Sequence, residues 1–164
     1  MRNTVFQSQV CSVARALEII GEWWTLLIVR EAFFGTKRFS DFERILGVAK
    51  NVLSDRLSKL VEAGVMERSR VTGRGNPQDY TLTEKGLALL PVVIALMQWG
   101  DRWINGSENA PIRVLDRKTG EEISQIRVHA AGGKVLSLEE LVVVPGPGSN
   151  ESIRRRFGRF RGKG

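Results

Sequence analysis

Apolar residues first recur at helical spacing: Val10, Val13, Ala14, Leu17 and Ile20 share one face, and Gly21 fits the end of that helix. Thr25 is placed to cap or open a second helix, TLLIVREAFF, which Gly35 closes. Leu26 to Val29 is apolar all round, as a central, buried helix requires. Ser40-Asp41-Phe42-Glu43 has the capping-box pattern, in which the Ser hydroxyl takes a backbone N–H and the Glu carboxylate reaches back. The short third helix that follows ends at Gly47, where the backbone must take a conformation costly for other residues. A fourth helix runs from about Ala49 to Ala63, with Leu53, Leu57 and Leu60 on a narrow apolar stripe. Helix, tight turn, helix is the helix-turn-helix arrangement.

After Gly64 the period changes. Val65 to Val71 and Gln78 to Leu82 read as two strands joined by TGRGNP. Thr83 can cap a long helix to about Ile104, with Leu87, Leu90, Ile94 and Met97 on one side and Leu89, Val93 and Leu96 on another. Such a helix must be buried on more than one face. A chain of this size offers one core, so the second face is expected to meet another subunit. Pro91 should kink or loosen the helix. NGSENAP reads as a linker, Ile112–Leu115 and Ile123–Val128 as strands around the turn KTGE, and SLEEL as a helical scrap. The closing IRRRFGRFRGKG is low in complexity and is expected to be disordered. The fold class is α+β: a winged helix-turn-helix domain with dimerisation helices over 1–104, a small β-hairpin annex over 111–148, and a basic tail over 149–164.

Charge sharpens this picture. The chain has 164 residues and a net charge of +7. Residues 1–110 carry 14 basic and 12 acidic side chains; residues 111–164 carry 11 and 6, and 153–164 alone hold six basic residues and no acid. Such a balance suits nucleic acid, an anionic membrane, or simply solubility. With one cysteine no intrachain disulfide forms, which suits a reducing cytosol. The N-terminus lacks an apolar signal core. The longest uncharged run, Gly86 to Gly100, is 15 residues and contains Pro91 and Gln98, against roughly 20 apolar residues for a bilayer span. No membrane segment is expected, and the location is read as cytoplasmic.

The candidate chemistry lies on the fourth helix and the hairpin after it. Opposite the leucine stripe stand Asn51, Ser54, Asp55 and Ser58, flanked by Lys50, Arg56 and Lys59. Short polar groups read base edges, and basic groups grip phosphates. Arg56 can instead salt-bridge within the fold, and the whole face can be merely a solvated one. Arg68 and Arg70 on the approaching strand and Arg74 in the loop suit a wing lying against a DNA backbone; the alternative is an exposed hairpin kept soluble by arginines. No Gly-rich turn is followed by Lys-Ser or Lys-Thr, so no phosphate-binding loop is read. One His and one Cys, far apart, match no nucleophile–base–orienter arrangement, so an enzyme is not expected. No cofactor or metal is expected either, and His129 reads as a surface histidine. Cys11, with Arg15 one turn on, is either a reactive thiol or a small buried apolar residue. Trp23, Trp24, Trp99 and Trp103 either pack the core or line an effector cavity. Arg154 to Arg161, interleaved with Phe157 and Phe160, either grip nucleic acid or an acidic surface, or are a solvated tail.

The order of elements, and the residues in them, resemble the HxlR family of winged helix-turn-helix transcriptional regulators, a MarR-like group. The matching residues are Cys11, Trp24-Thr25, Arg38-Phe39, Leu53, Arg56, Leu57, Leu60 and Gly64, then Tyr80, Leu82-Thr83-Glu84-Lys85-Gly86, Pro91 and Trp99-Gly100. They cover residues 10 to about 104. The resemblance implies a homodimer built through terminal helices, bound to double-stranded operator DNA with one recognition helix per subunit in the major groove and a wing at each edge. It also implies a role for Cys11, since in several relatives a cysteine at this end of the first helix senses oxidants or electrophiles. Some longer members resemble a zinc ribbon beyond the dimer helix. Here the analogous turns, Lys118-Thr119-Gly120 and His129-Ala130-Ala131-Gly132-Gly133, hold no cysteine, and zinc needs four N/S ligands. The expected function is a repressor. The rivals are a protein-interaction module and a multidrug-type binder using an aromatic cavity between subunits.

Overall fold

Ile28 and Val29 are wholly buried at the centre of a three-helix arrangement closed by a small sheet. The computed structural model describes residues 11–71 and 78–158. Residues Ile19–Ile126 make one compact unit, and the residues on either side of them make another. The helices are α1 (Ser12–Ile20), α2 (Trp23–Phe33), α3 (Phe39–Leu46) and α4 (Lys50–Glu62); then come strands β1 (Met66–Arg70) and β2 (Gln78–Leu82). Phe42 of α3, Leu53, Leu57 and Leu60 of α4, Met66 and Tyr80 close around Ile28 and Val29. Each large apolar side chain so buried contributes on the order of 1.5–3 kcal/mol.

Two helix starts differ from the sequence expectation. α2 begins at Trp23 with Glu22 as its cap residue, and Thr25 is buried inside the first turn, its N–H donating to the Glu22 carbonyl at 2.9 Å. α3 begins at Phe39, so Ser40 lies inside the helix and makes no capping box. The reason is tertiary. Arg38 forms a bridge with Asp79 of β2, the Tyr80 N–H donates to the Lys37 carbonyl at 2.9 Å, and the Arg38 guanidinium meets the Asp79 carboxylate at 2.8 Å. This pairing fixes where the chain turns into α3 and overrides the local side-chain cap. Gly47 ends α3 at φ 63°, ψ 21°, its N–H donating to the Glu43 carbonyl, as the turn was expected to require.

β1 and β2 pair antiparallel from Met66↔Leu82 to Arg70↔Gln78. The loop between them, with Arg74, lies outside the described residues. Thr83 caps the next helix as expected: its Oγ accepts from the Gly86 N–H at 3.2 Å and donates to the Gly64 carbonyl at 2.7 Å. The long helix expected after it is divided into α5 (Glu84–Leu87), α6 (Leu90–Gly100) and a π-turn, Asp101–Asn105. Pro91 sits in the first turn of α6, where its missing N–H costs nothing. Val93 and Ile94 are buried and Leu89 and Met97 pack against the core, whereas Leu87, Leu90, Val92, Leu96, Trp99, Trp103 and Ile104 are exposed. Val13 and Leu17 of α1 are exposed too; of that stripe Ala14 and Ile20 are the buried members among the described residues. By length and composition alone, Glu84–Asn105 is apolar enough to cross a bilayer, which the 15-residue count of uncharged positions did not reveal.

The two strands expected over 112–128 reduce to a single bridge, Leu115↔Glu122, around an Asp116–Gly120 turn. Beyond the hairpin's own backbone bonds, Gln98 of α6 holds its outgoing arm. Its amide nitrogen donates to the Ser124 carbonyl at 3.0 Å and its oxygen accepts the Ile126 N–H at 2.7 Å, so one side chain replaces a strand partner. In the other unit, His129↔Val135 forms a second lone bridge, and Ser137 and Glu140 form a capping box on the turn Leu138–Glu140. The tail expected to be disordered contains α7 (Glu151–Phe157). Asn150 caps it, its side-chain oxygen accepting the Ile153 N–H at 3.0 Å, and Ile153 and Phe157, one turn apart, are half-buried.

Candidate nucleic-acid interface

The helical period of α4 buries Leu53, Leu57 and Leu60 and thereby turns Asn51, Ser54, Asp55 and Ser58 outward, all four exposed. The tight turn at Gly47 sets α4 after α3, and Gly64, at φ 67°, releases the chain into β1. Asn51 is at the N-terminal turn, where the helix backbone carries unpaired N–H groups and a partial positive charge. A helix so built presents neutral donors and acceptors to whatever lies along its outer face.

The basic residues on this helix are less free than their sequence suggests. Arg56 is a correction. Its guanidinium lies 3.0 Å from Glu22 at the start of α2 and 3.5 Å from Asp55, with the side chain 16% exposed and Nε buried without a hydrogen-bond partner. It braces α4 against α2, the internal role that was the alternative to phosphate contact. Asp55 also takes Lys59 at 2.8 Å. That Lys59 hydrogen bond first, then the charges of Lys59 and Arg56, hold the Asp55 carboxyl below its ordinary range. Asp55 is therefore occupied by its own helix. Lys50 lies 4.0 Å from Glu43 of α3, a separation at which the pair is weak in water.

The wing carries freer charge. Met66, Arg68 and Arg70 alternate onto one face of β1; Met66 is buried at the base and the two arginines are exposed. No ion pair ties either arginine to a described residue. On the opposite face Thr81 donates to Glu67 at 3.1 Å.

The four tryptophans are not gathered into a cavity in the single chain. Trp24 packs against the core, while Trp23 is 91% exposed and Trp99 and Trp103 are largely exposed. The alternative that Trp23 packs the core does not hold: it is the first residue of α2 and faces solvent. Cys11 is a free, exposed thiol whose carbonyl accepts the Arg15 N–H at 3.0 Å, so it is not the buried apolar residue that was its alternative. It lines a cavity of about 520 Å³ with Ser12, Arg15, Gly146, Gly148, Ser149 and Ile153. Among the described residues no group of three His, Cys, Asp or Glu side chains is placed to hold a metal.

Comparison with known proteins agrees with this geometry. Residues 19–108 match the model of the HxlR-like helix-turn-helix family. The chain is 40% identical over 137 residues to an uncharacterised HTH-type transcriptional regulator of Mycobacterium tuberculosis, covering 84% of this chain and 87% of that one. A crystal structure of a candidate transcription factor superimposes with a TM-score of 0.80 at 39% identity, over 87% of this chain and all of the other. The reduced form of the redox regulator HypR superimposes with a TM-score of 0.53 at 29% identity, over 59% of this chain and 99% of that one. The first two likenesses extend into the region after α6; the last does not reach as far. The helix-turn-helix, the antiparallel wing and these likenesses place the chain in the HxlR-like helix-turn-helix family: it is a DNA-binding transcriptional regulator, not an enzyme.

Proposed function

We propose that this chain is a homodimeric, sequence-specific repressor that occupies a two-fold symmetric operator. The observation that carries the reading is the outer face of α4, where Asn51, Ser54 and Ser58 stand exposed and uncommitted opposite a buried leucine stripe. Asn51 has the amide geometry for bidentate contact with adenine, and the serines offer shorter hydrogen bonds in the major groove. Arg68 and Arg70, with Arg74 in the loop beyond, hold the wing on phosphates, and Lys50 adds a backbone contact at the start of the face. Dimerisation is supported by the exposed apolar side of α5, α6 and the π-turn, where Leu87, Leu90, Leu96, Trp99 and Trp103 are 43–65% exposed. That company also explains an apolar helix of bilayer length in a cytoplasmic protein: its second face meets a protein partner. An effector bound between subunits at Trp99 and Trp103 would then alter the spacing of the two recognition helices.

Two-fold symmetry sets half-site centres about 10 bp apart, or a multiple of that. Selection of duplexes from a randomised pool by the full-length protein, followed by footprinting, tests this. An inverted repeat with protection on one face of the duplex is expected. Uniform, sequence-independent protection would refute it.

A sensing role for Cys11 has one specific support beyond the family. The thiol is exposed at the start of α1, a helix whose Val13 and Leu17 are also uncovered in the single chain. The similar structure HypR is a redox regulator, seen in reduced and in oxidised form. Oxidation of Cys11, to a mixed disulfide or to a bond with its partner's thiol, would then act on the interface that spaces the recognition helices.

A further inference from the structure

The positive charge of this protein is not where its recognition helix is. Residues 19–126, which contain the whole winged helix, carry 15 basic and 14 acidic side chains, a net of +1. The remaining residues carry 10 and 4, a net of +6. Within the winged helix much of the cationic complement is matched internally: Arg30 with Glu31, Arg38 with Asp79, Arg44 with Asp41, Arg56 with Glu22 and Lys59 with Asp55, all at 3.1 Å or less. Duplex DNA is bound largely by neutralising phosphates and releasing their counterions. A net of +1 gives that process little to work with.

α7 supplies what is missing. Arg154, Arg155 and Arg156 follow one another on a capped helix and are all exposed, and no acidic residue follows Glu151 in the sequence. At 3.6 residues per turn, three consecutive side chains fan through roughly 200° of the helix circumference. Arg155 reaches Glu151 at 3.6 Å, but both side chains are more than 80% exposed, so the pair is easily exchanged for a phosphate. Arg156 stacks its guanidinium 4.9 Å from the Phe157 ring, which stiffens the arginine without neutralising it. Arg154 donates Nε to Ser149 Oγ at 3.2 Å and keeps its terminal nitrogens. Arg159, Arg161 and Lys163 continue the run in sequence.

From this we infer that α7 is a second DNA-binding element, a sequence-independent clamp in which Arg154, Arg155 and Arg156 contact backbone phosphates in addition to the operator contacts of α4. The inference rests on the DNA-binding reading above. Duplex backbone is favoured over a membrane surface because the two apolar side chains of α7, Ile153 and Phe157, are already half-buried against the protein and leave no apolar face for lipid. It is favoured over an acidic protein because the winged helix in the same chain holds a polyanion at high effective concentration.

The test is a triple variant, Arg154→Gln with Arg155→Gln and Arg156→Gln, and its counterpart with lysine at all three positions. Each is titrated with the duplex selected by the full-length protein and with a scrambled duplex, at several salt concentrations. Each phosphate contact contributes about 0.9 to the slope of log affinity against log salt, so the glutamine variant should lose roughly 2–3 in slope per protomer, and about twice that per bound dimer, on both duplexes, with the ratio of the two affinities unchanged. The lysine variant should keep the slope. An unchanged slope in the glutamine variant, with Arg68→Ala still lowering it, would overturn the clamp and leave the operator reading intact. A changed affinity ratio would also overturn it, since α7 would then read bases. If the parent protein bound neither duplex, the DNA-binding reading itself would fail. Matching circular dichroism melts exclude unfolding as the cause.

Discussion

Gly86 is the residue whose replacement tests the packing of the wing most sharply. It is buried in α5, and a Cβ built on it would lie 2.2 Å from the Val65 carbonyl oxygen, where ordinary contact begins near 3.4 Å. That oxygen cannot simply turn away, because it accepts the Thr83 N–H at 3.1 Å. Gly86→Ala therefore forces α5 and the start of β1 apart by about 1 Å, an overpacking that costs on the order of 1–3 kcal/mol. Against it stands the gain in helix propensity, at most about 1 kcal/mol and less in a helix of one turn. The net is a loss of roughly 1–2 kcal/mol, or about 3–9 °C in Tm for a domain of this size. Thermal and urea denaturation at one fixed protein concentration measures it, since the stability of a dimer depends on concentration. A Tm equal to or above that of the parent would refute the reasoning, because the Val65 carbonyl would then have to be free to move. The same displacement starts one residue before β1, so operator affinity should fall as well.

Asn51→Ala should cost on the order of 1–3 kcal/mol on the selected duplex and relax specificity at one position of each half-site, with little change on scrambled DNA; an equal loss on both would mean that Asn51 does not read bases. Asp55→Asn frees Lys59 and should strengthen binding to all sequences and steepen the salt slope by up to about 0.9 per protomer; a weaker, flatter response would place Asp55 itself on the DNA. The folded-state pKa of Asp55 is depressed, so its stabilising contribution is present above the ordinary aspartate range and lost as pH falls through the lowered value; the stability difference between parent and Asp55→Asn should shrink below about pH 4. Arg56→Met should lower stability by about 1–2 kcal/mol, because Glu22 and Asp55 lose their common partner, while the salt slope stays constant; a flattened slope with unchanged stability would return Arg56 to the phosphates. Mild oxidant should weaken operator binding by the parent and not by Cys11→Ser, and equal sensitivity in both would remove Cys11 from any sensing.

What the sequence made legible was whatever depends on neighbours along the chain. Leu53, Leu57 and Leu60 announce α4 because a buried stripe must recur each turn, and Gly47 marks its turn because few other residues tolerate φ 63°. Thr83 caps its helix through a bond three residues away. What it concealed was long-range. Ser40 has the right spacing for a cap, yet the pairing of Arg38 with Asp79, 41 positions on, decides where α3 starts. Arg56 looks outward by helical period, but Glu22 reaches it from another helix. Gln98 read as an interruption of an apolar run; its two hydrogen bonds to a hairpin 26 and 28 residues later are invisible to periodicity. α7 was hidden by composition, since a run of arginines outweighed the Asn150 cap and the Ile153–Phe157 pair that specify the helix.

The ion pairs of α4 bear on how such a regulator separates affinity from selectivity. A cation free on a recognition helix binds every phosphate, so it raises affinity for the wrong site as much as for the right one. Here Arg56 and Lys59 are held by carboxylates of the protein itself, and what remains uncommitted on the outer face is Asn51, Ser54 and Ser58. Neutral groups of this kind contribute only where the base edge complements them, at about 1–3 kcal/mol for a bidentate pair, and leave a desolvation cost where it does not. Affinity without preference is then supplied by other cations: Lys50 at the start of α4, Arg68 and Arg70 on β1, and Arg154 to Arg156 on α7. On this division, selectivity and salt dependence are separable by mutation: changes at Asn51 should move the first, changes at α7 the second, and the two sets should combine additively.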